Sequence, residues 1–277
     1  SAMSYSQSKI KGLSFVGSNR PISAAAIVPI SDMNANWVTL MPYGYIGSDG
    51  RVMFNSKWQW WGEKEEGIRK TIELCQAADL KIMLKPQIWR MNAYTGDFTC
   101  GSDSEWKKFE ESYRDYIEFF VGIAADYDVE LCCIGTEWRE FVAARTGFWT
   151  DLIQSVKKQY QGKLTYAANW DDYKAVPFWA DLDYIGVNGY FPISYSENPG
   201  LPELVKGWEV QSKTLGEFSK KKDRQIIFTE IGYRSMRGAT QKPWDFDARK
   251  KYSAEIQDYA YQAVFKILWD ETWCKGI

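Results

Sequence analysis

The sequence predicts an α/β fold, a (β/α)₈ or TIM barrel, from three observations. Strand-like apolar runs alternate with helical patterns along the chain, without internal repeats or a break in composition. No run is followed by a glycine-rich phosphate turn such as GxGxxG, which favours a closed barrel over a doubly wound sheet. The chain has 277 residues, and barrels of this kind commonly have roughly 250.

Seven strands can be placed, and helical segments lie between them. The strands are predicted at residues 12–17, 37–45, 81–89, 129–137, 163–170, 184–191 and 225–233. The clearest helices are predicted at 22–33, 63–78, 105–127, 201–221 and 246–269. An eighth strand is missing from this pattern, because the chain ends at residues 274–277, where that strand should begin. We therefore expect a barrel whose eighth strand is truncated at the C-terminus.

The chain divides into a short leader and one large domain. Residues 1–10 are interpreted as a tag scar and a linker, and residues 11–277 as a single catalytic barrel domain. No stretch approaches the roughly eighteen apolar residues of a membrane span. If a signal segment once preceded this sequence, the protein is secreted or bound to the cell surface. The sequence itself leaves the localisation open. We expect a monomer.

The composition indicates a neutral ligand with flat apolar faces. The formal net charge is −2, from 34 basic and 36 acidic residues, which gives no basic surface for nucleic acid or an anionic membrane. Aromatic residues make up 16% of the chain, more than a core needs, and they suit a site that stacks on flat apolar faces. Many of these rings are equally expected to pack between helices and barrel.

The sequence contains no histidine, and this excludes several kinds of catalytic site. A zinc site built on imidazole and any Ser-His or Cys-His nucleophile are ruled out. Acid and base chemistry therefore falls to carboxylates, Lys, Tyr or Cys. The five cysteines have no CxxC spacing, and we expect buried free thiols. No metal or cofactor is expected.

Two predicted strands each have a glutamate directly after an apolar run. The fourth reads ELCCIGTEW and ends in Glu137, and the seventh reads QIIFTEIGY and contains Glu230. Catalytic groups of such barrels sit at the carboxyl ends of the strands. Side-chain alternation expects each glutamate to share the inward face with earlier residues of its strand, namely Leu131, Cys133 and Gly135 for Glu137, and Ile226 and Phe228 for Glu230.

A pair of carboxyl groups is what glycosidic bond cleavage requires. One carboxylic acid protonates the leaving oxygen, while the other group attacks the anomeric carbon, and a separation of about 5 Å indicates retention. We expect the surroundings of Glu137 to raise its pKa and those of Glu230 to keep it ionised. The alternative is that either glutamate only pairs with a Lys or Arg at a strand end.

Five stretches resemble glycoside hydrolase family 113, within the strand-four and strand-seven retaining glycosidases. They are KGLSFVGS at 11–18, NWVTLMPYGY at 36–45, MLKPQIW at 83–89, CIGTEW at 133–138 and FTEIGYRS at 228–235. The last two match the acid/base and nucleophile segments of the family, and so transfer those roles to Glu137 and Glu230. The resemblance implies retaining hydrolysis of β-1,4-linked mannosides, of mannan or glucomannan type, without a cofactor.

One position departs from the wider group. Most of its members have Asn immediately before the acid/base, where it binds the sugar 2-hydroxyl, whereas Thr136 stands here. Asn169 or Asn188, at neighbouring strand ends, could supply that contact.

Further residues are expected to line a cleft for an oligosaccharide or polysaccharide. Alternation places Lys85, Gln87 and Trp89 on one face of the third strand, and Asn188 and Tyr190 on one face of the sixth. Trp89 and Trp170 are candidates for an aromatic platform, and Tyr190 for a hydrogen bond to Glu230. The alternative for each is packing behind the site, and Lys85 could simply neutralise a carboxylate.

Three other functions are also weighed. A β-glucan glycosidase of the same clan would differ only in how the cleft treats one axial hydroxyl. A non-catalytic barrel would bind carbohydrate on its aromatic residues without cleaving it. A Mg²⁺-dependent lyase would use Lys85 as base and would need three carboxylates at adjacent strand ends, for which Asp171 and Asp172 are the obvious recruits.

Overall fold

The computed structural model describes residues 9–91, 93–245 and 249–277. In chain order its strands are β1 (Gly12–Phe15), β2 (Trp37–Leu40), β3 (Tyr43–Ile46), β4 (Val52–Met53), β5 (Lys81–Leu84), β6 (Gln87–Trp89), β7 (Leu131–Thr136), β8 (Lys163–Asn169), β9 (Ile185–Asn188), β10 (Ile226–Glu230) and β11 (Cys274–Gly276). Its α-helices are α1 (Val28–Asp32), α2 (Glu65–Ala77), α3 (Asp103–Asp126), α4 (Arg139–Ala144), α5 (Thr146–Gln159), α6 (Leu201–Lys222) and α7 (Ala254–Leu268).

The main sheet contains eight strands in the order β1-β2-β5-β7-β8-β9-β10-β11, and its paired strands run parallel. The eighth strand, which the sequence pattern did not show, is present as β11 and pairs with β10. The amide of Gly12 donates to the carbonyl of Ile277 at 2.6 Å, and the amide of Ile277 donates to that of Ile10 at 3.0 Å. These bonds join the first and last strands and close the TIM barrel.

The barrel also includes two residues that the sequence analysis assigned to the linker. Ile10 is 4% exposed and packs in the barrel interior. The Lys9 ammonium donates to the backbone carbonyls of Glu271 and Cys274 at 2.7 and 2.5 Å. The boundary at residue 11 is therefore too late, whereas residues 1–8 lie outside the described part of the chain.

Two predicted strands are each divided by a proline. The run 37–45 forms β2 and β3, separated at Pro42, and the run 81–89 forms β5 and β6, separated at Pro86. Proline has no amide to donate, so it interrupts a ladder of backbone hydrogen bonds. Beyond the prolines the chain forms a second sheet of three strands, in the order β4-β3-β6. This small sheet continues past the carboxyl ends of β2 and β5.

The helices follow the predicted segments, with shorter ends. The predicted helix at 22–33 is reduced to a 3₁₀ turn at Ala24–Ala26 and the short α1, whose first turn contains Pro29. The predicted helix at 246–269 begins at Ala254, where the Ser253 hydroxyl caps it, and residues 246–248 lie outside the described part. No helix among the described residues is long and apolar enough to cross a membrane.

Apolar residues fill two regions, one inside the barrel and one between strands and helices. The interior cluster consists of Ile10, Met83, Leu131, Cys133, Ala167 and Ile227. The larger cluster lies on the helix side and includes many aromatic rings, such as Trp106 stacked on Phe141 with centroids 5.2 Å apart. The prediction of free thiols is confirmed: all five cysteines are free, and only Cys100 is not fully buried.

Candidate active site

Glu137 directly follows β7, and Glu230 is the last residue of β10. Both glutamates therefore lie at the carboxyl ends of barrel strands, which together form the mouth of the barrel. β7 and β10 are the fourth and seventh strands in the order of the sheet.

Glu137 follows an irregular end of β7, where the register with β8 shifts after Cys133 and Gly135 faces Trp149 on the helix side rather than the barrel interior as expected. The φ of Glu137 is +56°, in the left-handed region that non-glycine residues rarely occupy. Its amide donates to the Ala167 carbonyl at 2.8 Å, and the next amide, of Trp138, donates to the Tyr166 hydroxyl at 2.7 Å. Such strain, about 1–3 kcal/mol, persists where the surroundings impose it, commonly at functional sites.

Glu230 reaches the mouth by a different route from the one expected. Ile226 and Phe228 belong to the cluster on the helix side, and Ile227 faces the barrel interior, so simple alternation is wrong for this strand. The register with β9 shifts between Phe228 and Glu230, where two steps along β10 match one step along β9. This bulge at Thr229 changes the alternation and turns Glu230 inward.

Three side chains donate hydrogen bonds to the Glu230 carboxylate. The Lys85 ammonium donates to Oε1 and is fully buried, Gln87 Nε2 donates to Oε1 at 3.0 Å, and Tyr190 Oη donates to Oε2 at 2.8 Å. Burial by itself raises the pKa of Glu230, but the charge of Lys85 and these hydrogen bonds outweigh burial and lower it below the ordinary value. Glu230 is therefore ionised at neutral pH.

Glu137 has a single neutral donor and a higher pKa. Asn188 Nδ2 donates to its Oε1 at 2.8 Å, and the Asn188 Oδ1 accepts from the Thr229 hydroxyl, also at 2.8 Å. Burial raises the pKa of Glu137, the hydrogen bond from Asn188 opposes this, and the negative charge of Glu230 raises it further. The two carboxyl groups thus shift in opposite directions, which suits one proton donor and one anionic group.

The remaining predicted site residues lie around this pair. Trp89 is 57% exposed, with its ring edge-on to Tyr43 at 6.3 Å. Asn169 donates to Asp171 at 2.9 Å, so its amide is turned toward a carboxylate of its own loop. Trp170 stacks on Trp244, with centroids 5.4 Å apart. The structure therefore brings Lys85, Gln87, Asn188 and Tyr190 onto the glutamates, while Trp89, Asn169 and Trp170 make other contacts.

Comparison with known proteins identifies the family. The sequence profile of Glycoside Hydrolase Family 113 matches residues 19–277. The chain belongs to this family. No curated protein matches it. Among solved structures it is similar to a family 113 β-mannanase from Alicyclobacillus acidocaldarius, with 25% identity, a TM-score of 0.84, and coverage of 97% of this chain and 85% of that one.

Two further structures share the fold. A family 113 β-1,4-mannanase has a TM-score of 0.82 at 22% identity, over 97% of this chain and 86% of that one. A family 5 mannosidase from Rhizomucor miehei has a TM-score of 0.69 at 13% identity, over 95% of this chain and 78% of that one. The protein is therefore a glycoside hydrolase with the TIM-barrel fold of its family.

The sequence did not predict the observed roles of three further residues of the candidate site. Thr229 orients the Asn188 amide, and its position became visible only with the bulge. Burial, followed by the charges of Asp171 and Glu137, raises the pKa of Asp172 to about 7. The hydroxyl of Thr136, at the position where the wider group has Asn, is buried without a hydrogen-bond partner among the described residues. For Asp172, the sequence signal was its position directly after another acid, Asp171.

The lyase alternative finds no metal site in the described part of the chain. No group of three or more Cys, Asp or Glu side chains there is arranged to hold a metal ion. Lys85, its proposed base, is bonded to Glu230. Lys85 does neutralise a carboxylate, as the alternative reading expected, and that carboxylate is Glu230 of the candidate site.

Proposed function

We propose that this family 113 enzyme hydrolyses β-1,4-linked mannosides with retention of configuration, with Glu230 as nucleophile and Glu137 as general acid/base. The observation that carries the proposal is the difference between the two surroundings. Glu230 accepts hydrogen bonds from a buried cation and two neutral donors, whereas Glu137 is partly buried beside a single amide. An anionic nucleophile and a protonated acid need these two environments.

In the first step Glu230 attacks the anomeric carbon while the Glu137 proton passes to the glycosidic oxygen. The bond to the leaving sugar breaks, and a covalent glycosyl ester on Glu230 forms with inverted configuration. In the second step Glu137, now a carboxylate, takes a proton from water, and the resulting hydroxide equivalent attacks the same carbon from the opposite face. The ester breaks, Glu230 is again a carboxylate, and the β configuration is restored.

Other residues support these steps by position and charge. Burial raises the pKa of Tyr190, so the hydroxyl stays protonated and donates to Glu230 throughout. Asn188 donates to Glu137 from the end of the neighbouring strand β9, which makes it the candidate for the contact that the wider group assigns to the Asn before the acid/base. The substrate class follows from the family and from the β-mannanase of Alicyclobacillus acidocaldarius.

The direct test is to incubate the protein with β-1,4-mannan, glucomannan and β-glucan and to measure new reducing ends, with and without EDTA. We expect new reducing ends from the two mannose-containing polymers, in equal amounts with and without EDTA. Preferential cleavage of β-glucan would support the glucan alternative, and binding without cleavage would support a non-catalytic barrel. Proton NMR during the first minutes distinguishes retention, which gives β-anomeric product first, from inversion.

A further inference from the structure

Trp170 and Trp244 form an aromatic face in the segments that follow β8 and β10, and the proposed reaction gives this face no role. The two indole rings are nearly parallel, at 14°, with centroids 5.4 Å apart. Trp170 covers one side of Trp244, yet Trp244 remains 41% exposed. A flat indole surface beside a glycosidase site is the kind of surface on which the C–H face of a sugar ring packs.

Chain connectivity places this pair beside Glu137. Trp170 follows Asn169, the last residue of β8, and Asn169 pairs in register with Asn188. Asn188 in turn donates to Glu137. Trp170 therefore lies next to the carboxyl end of β8, and the neighbouring strand β7 leads to the general acid, Glu137.

Two of the three donors to the nucleophile, Lys85 and Gln87, come from the segment 81–89, whereas the third, Tyr190, follows β9. Gln87 of β6 donates to Glu230, and Trp89 lies two residues farther along the same strand. Aromatic residues thus lie in two places. Trp89 is two residues from Gln87, a donor to Glu230, and Trp170 is next to Asn169, which pairs with Asn188, the donor to Glu137.

We infer that the Trp170–Trp244 pair binds the leaving-group portion of the oligosaccharide. The general acid protonates the oxygen that departs with this portion, whereas the nucleophile takes the anomeric carbon of the other portion. A platform beside the acid therefore contacts the sugar that leaves in the first step. The same platform binds a sugar acceptor in the second step, when the acceptor replaces water.

The platform is held in place before any ligand binds. Trp170 also packs edge-on against Phe191, with centroids 5.9 Å apart. The segment that carries Trp244, between β10 and α7, is fastened to the segment after β9, where the Ile193 amide donates to the Thr240 carbonyl at 3.0 Å. Thr240 itself is fully buried. A rigid aromatic surface loses little entropy on binding, which favours affinity.

The inference rests on the proposed function, and the test separates the two. Two substrates are compared: mannohexaose, which fills both sides of the site, and β-mannobiosyl fluoride, whose leaving group is only a fluoride ion. Wild-type turnover of both tests the proposed function. The inference is tested by the ratio of kcat/KM for mannohexaose to kcat/KM for the fluoride, which we expect Trp244→Ala to lower about fivefold to tenfold.

Trp244→Phe keeps an aromatic face and should recover most of this ratio. Phe265→Ala, which removes an exposed aromatic residue from helix α7, should leave the ratio at the wild-type value. Transfer to added mannobiose gives a second readout, and we expect Trp244→Ala to raise the KM for this acceptor.

Two results would overturn the inference. An equal loss on both substrates would mean that Trp244 acts only through the fold, and an unchanged ratio would mean that the leaving sugar lies elsewhere. Calorimetric binding of mannotetraose to Glu137→Gln, with and without Trp244→Ala, measures the platform independently of turnover. Equal affinity of these two proteins would also overturn it.

Discussion

Lys85 and Glu230 meet across the barrel, because they belong to the ends of the third and seventh of its eight strands. The Lys85 side chain is fully buried, and its ammonium donates to Oε1 of Glu230. The pair therefore links opposite walls of the barrel and fixes the charge of the proposed nucleophile. This relationship makes the ionisation of Glu230 depend on one lysine.

Lys85→Met tests that dependence. With the cation removed, burial dominates and the pKa of Glu230 rises, so the acidic limb of the kcat/KM profile should move to higher pH. We expect kcat/KM at pH 5 to fall at least about 100-fold, with a smaller loss at pH 8. A pH–rate profile measures the shift, and Lys81→Met, on the exposed residue that begins β5, is the control. An unchanged acidic limb would contradict the role given to Lys85.

The stability of Lys85→Met should show the matching pH dependence. The folded-state pKa of Glu230 is lowered, so its ion pair contributes stability above the ordinary carboxyl pKa and loses that contribution as the pH falls through the folded value. Removing one partner of a buried pair costs about 3–5 kcal/mol. The difference in Tm between wild type and Lys85→Met should therefore be large at pH 7 and smaller at pH 3.

Azide rescue distinguishes the roles of the two glutamates. Glu230→Ala and Glu137→Ala should each lower hydrolysis of an activated aryl β-mannoside, by about 10³-fold or more for the nucleophile. Azide added to Glu230→Ala attacks the substrate directly and should give the α-mannosyl azide. Azide added to Glu137→Ala attacks the covalent intermediate and should give the β-mannosyl azide.

The anomeric configuration of each azide is read from its NMR spectrum. The opposite assignment, or near-normal turnover by Glu230→Ala, would show that Glu230 is not the nucleophile.

Thr229 offers a test of how finely Glu137 is positioned. Its hydroxyl donates to Asn188 Oδ1 and so points the Asn188 amide nitrogen toward Glu137. Thr229→Val keeps the shape but removes the donor, and we expect kcat to fall about tenfold while the KM changes little. Thr229→Ser keeps the hydroxyl and should stay within about twofold of wild type. Equal kcat values for the Val and Ser variants would contradict this role.

Side-chain alternation predicted only part of the site, because both strands that lead to a glutamate change register near their carboxyl ends. Leu131 and Cys133 face the barrel interior, as alternation required for the strand of Glu137, but the register of β7 with β8 shifts after Cys133 and Gly135 faces Trp149 on the helix side. Alternation failed for Glu230 because the bulge at Thr229 adds one residue, and a bulge leaves no clear mark in an apolar run. Glu230 was found because it follows an apolar run and because its segment resembles the nucleophile segment of family 113.

Two features of the fold were missed for different reasons. The eighth strand is only Cys274–Gly276, too short and too polar to give a strand pattern, and its pairing with β1 depends on contacts distant in sequence. The small sheet, in contrast, was marked by Pro42 and Pro86, which divide the long runs. The two prolines were therefore a local signal from which the small sheet could have been predicted. Barrel closure has no such local signal, because it depends on contacts between the two ends of the chain.

Glu137→Gln should be more stable than the wild type at neutral and higher pH. Burial raises the folded-state pKa of Glu137, so the wild type loses stability as the pH rises from the ordinary carboxyl pKa through the folded value. Gln does not titrate, and its variant avoids this loss. A loss of about 1 kcal/mol corresponds to a Tm difference of roughly 2–4 °C, which we expect at pH 8 and not at pH 4. Activity should be almost abolished, since an amide cannot protonate the leaving oxygen. Equal Tm values for both proteins from pH 4 to pH 8 would mean that the buried carboxyl is not destabilised when ionised, and the assignment of Glu137 as the proton donor would lose its electrostatic basis.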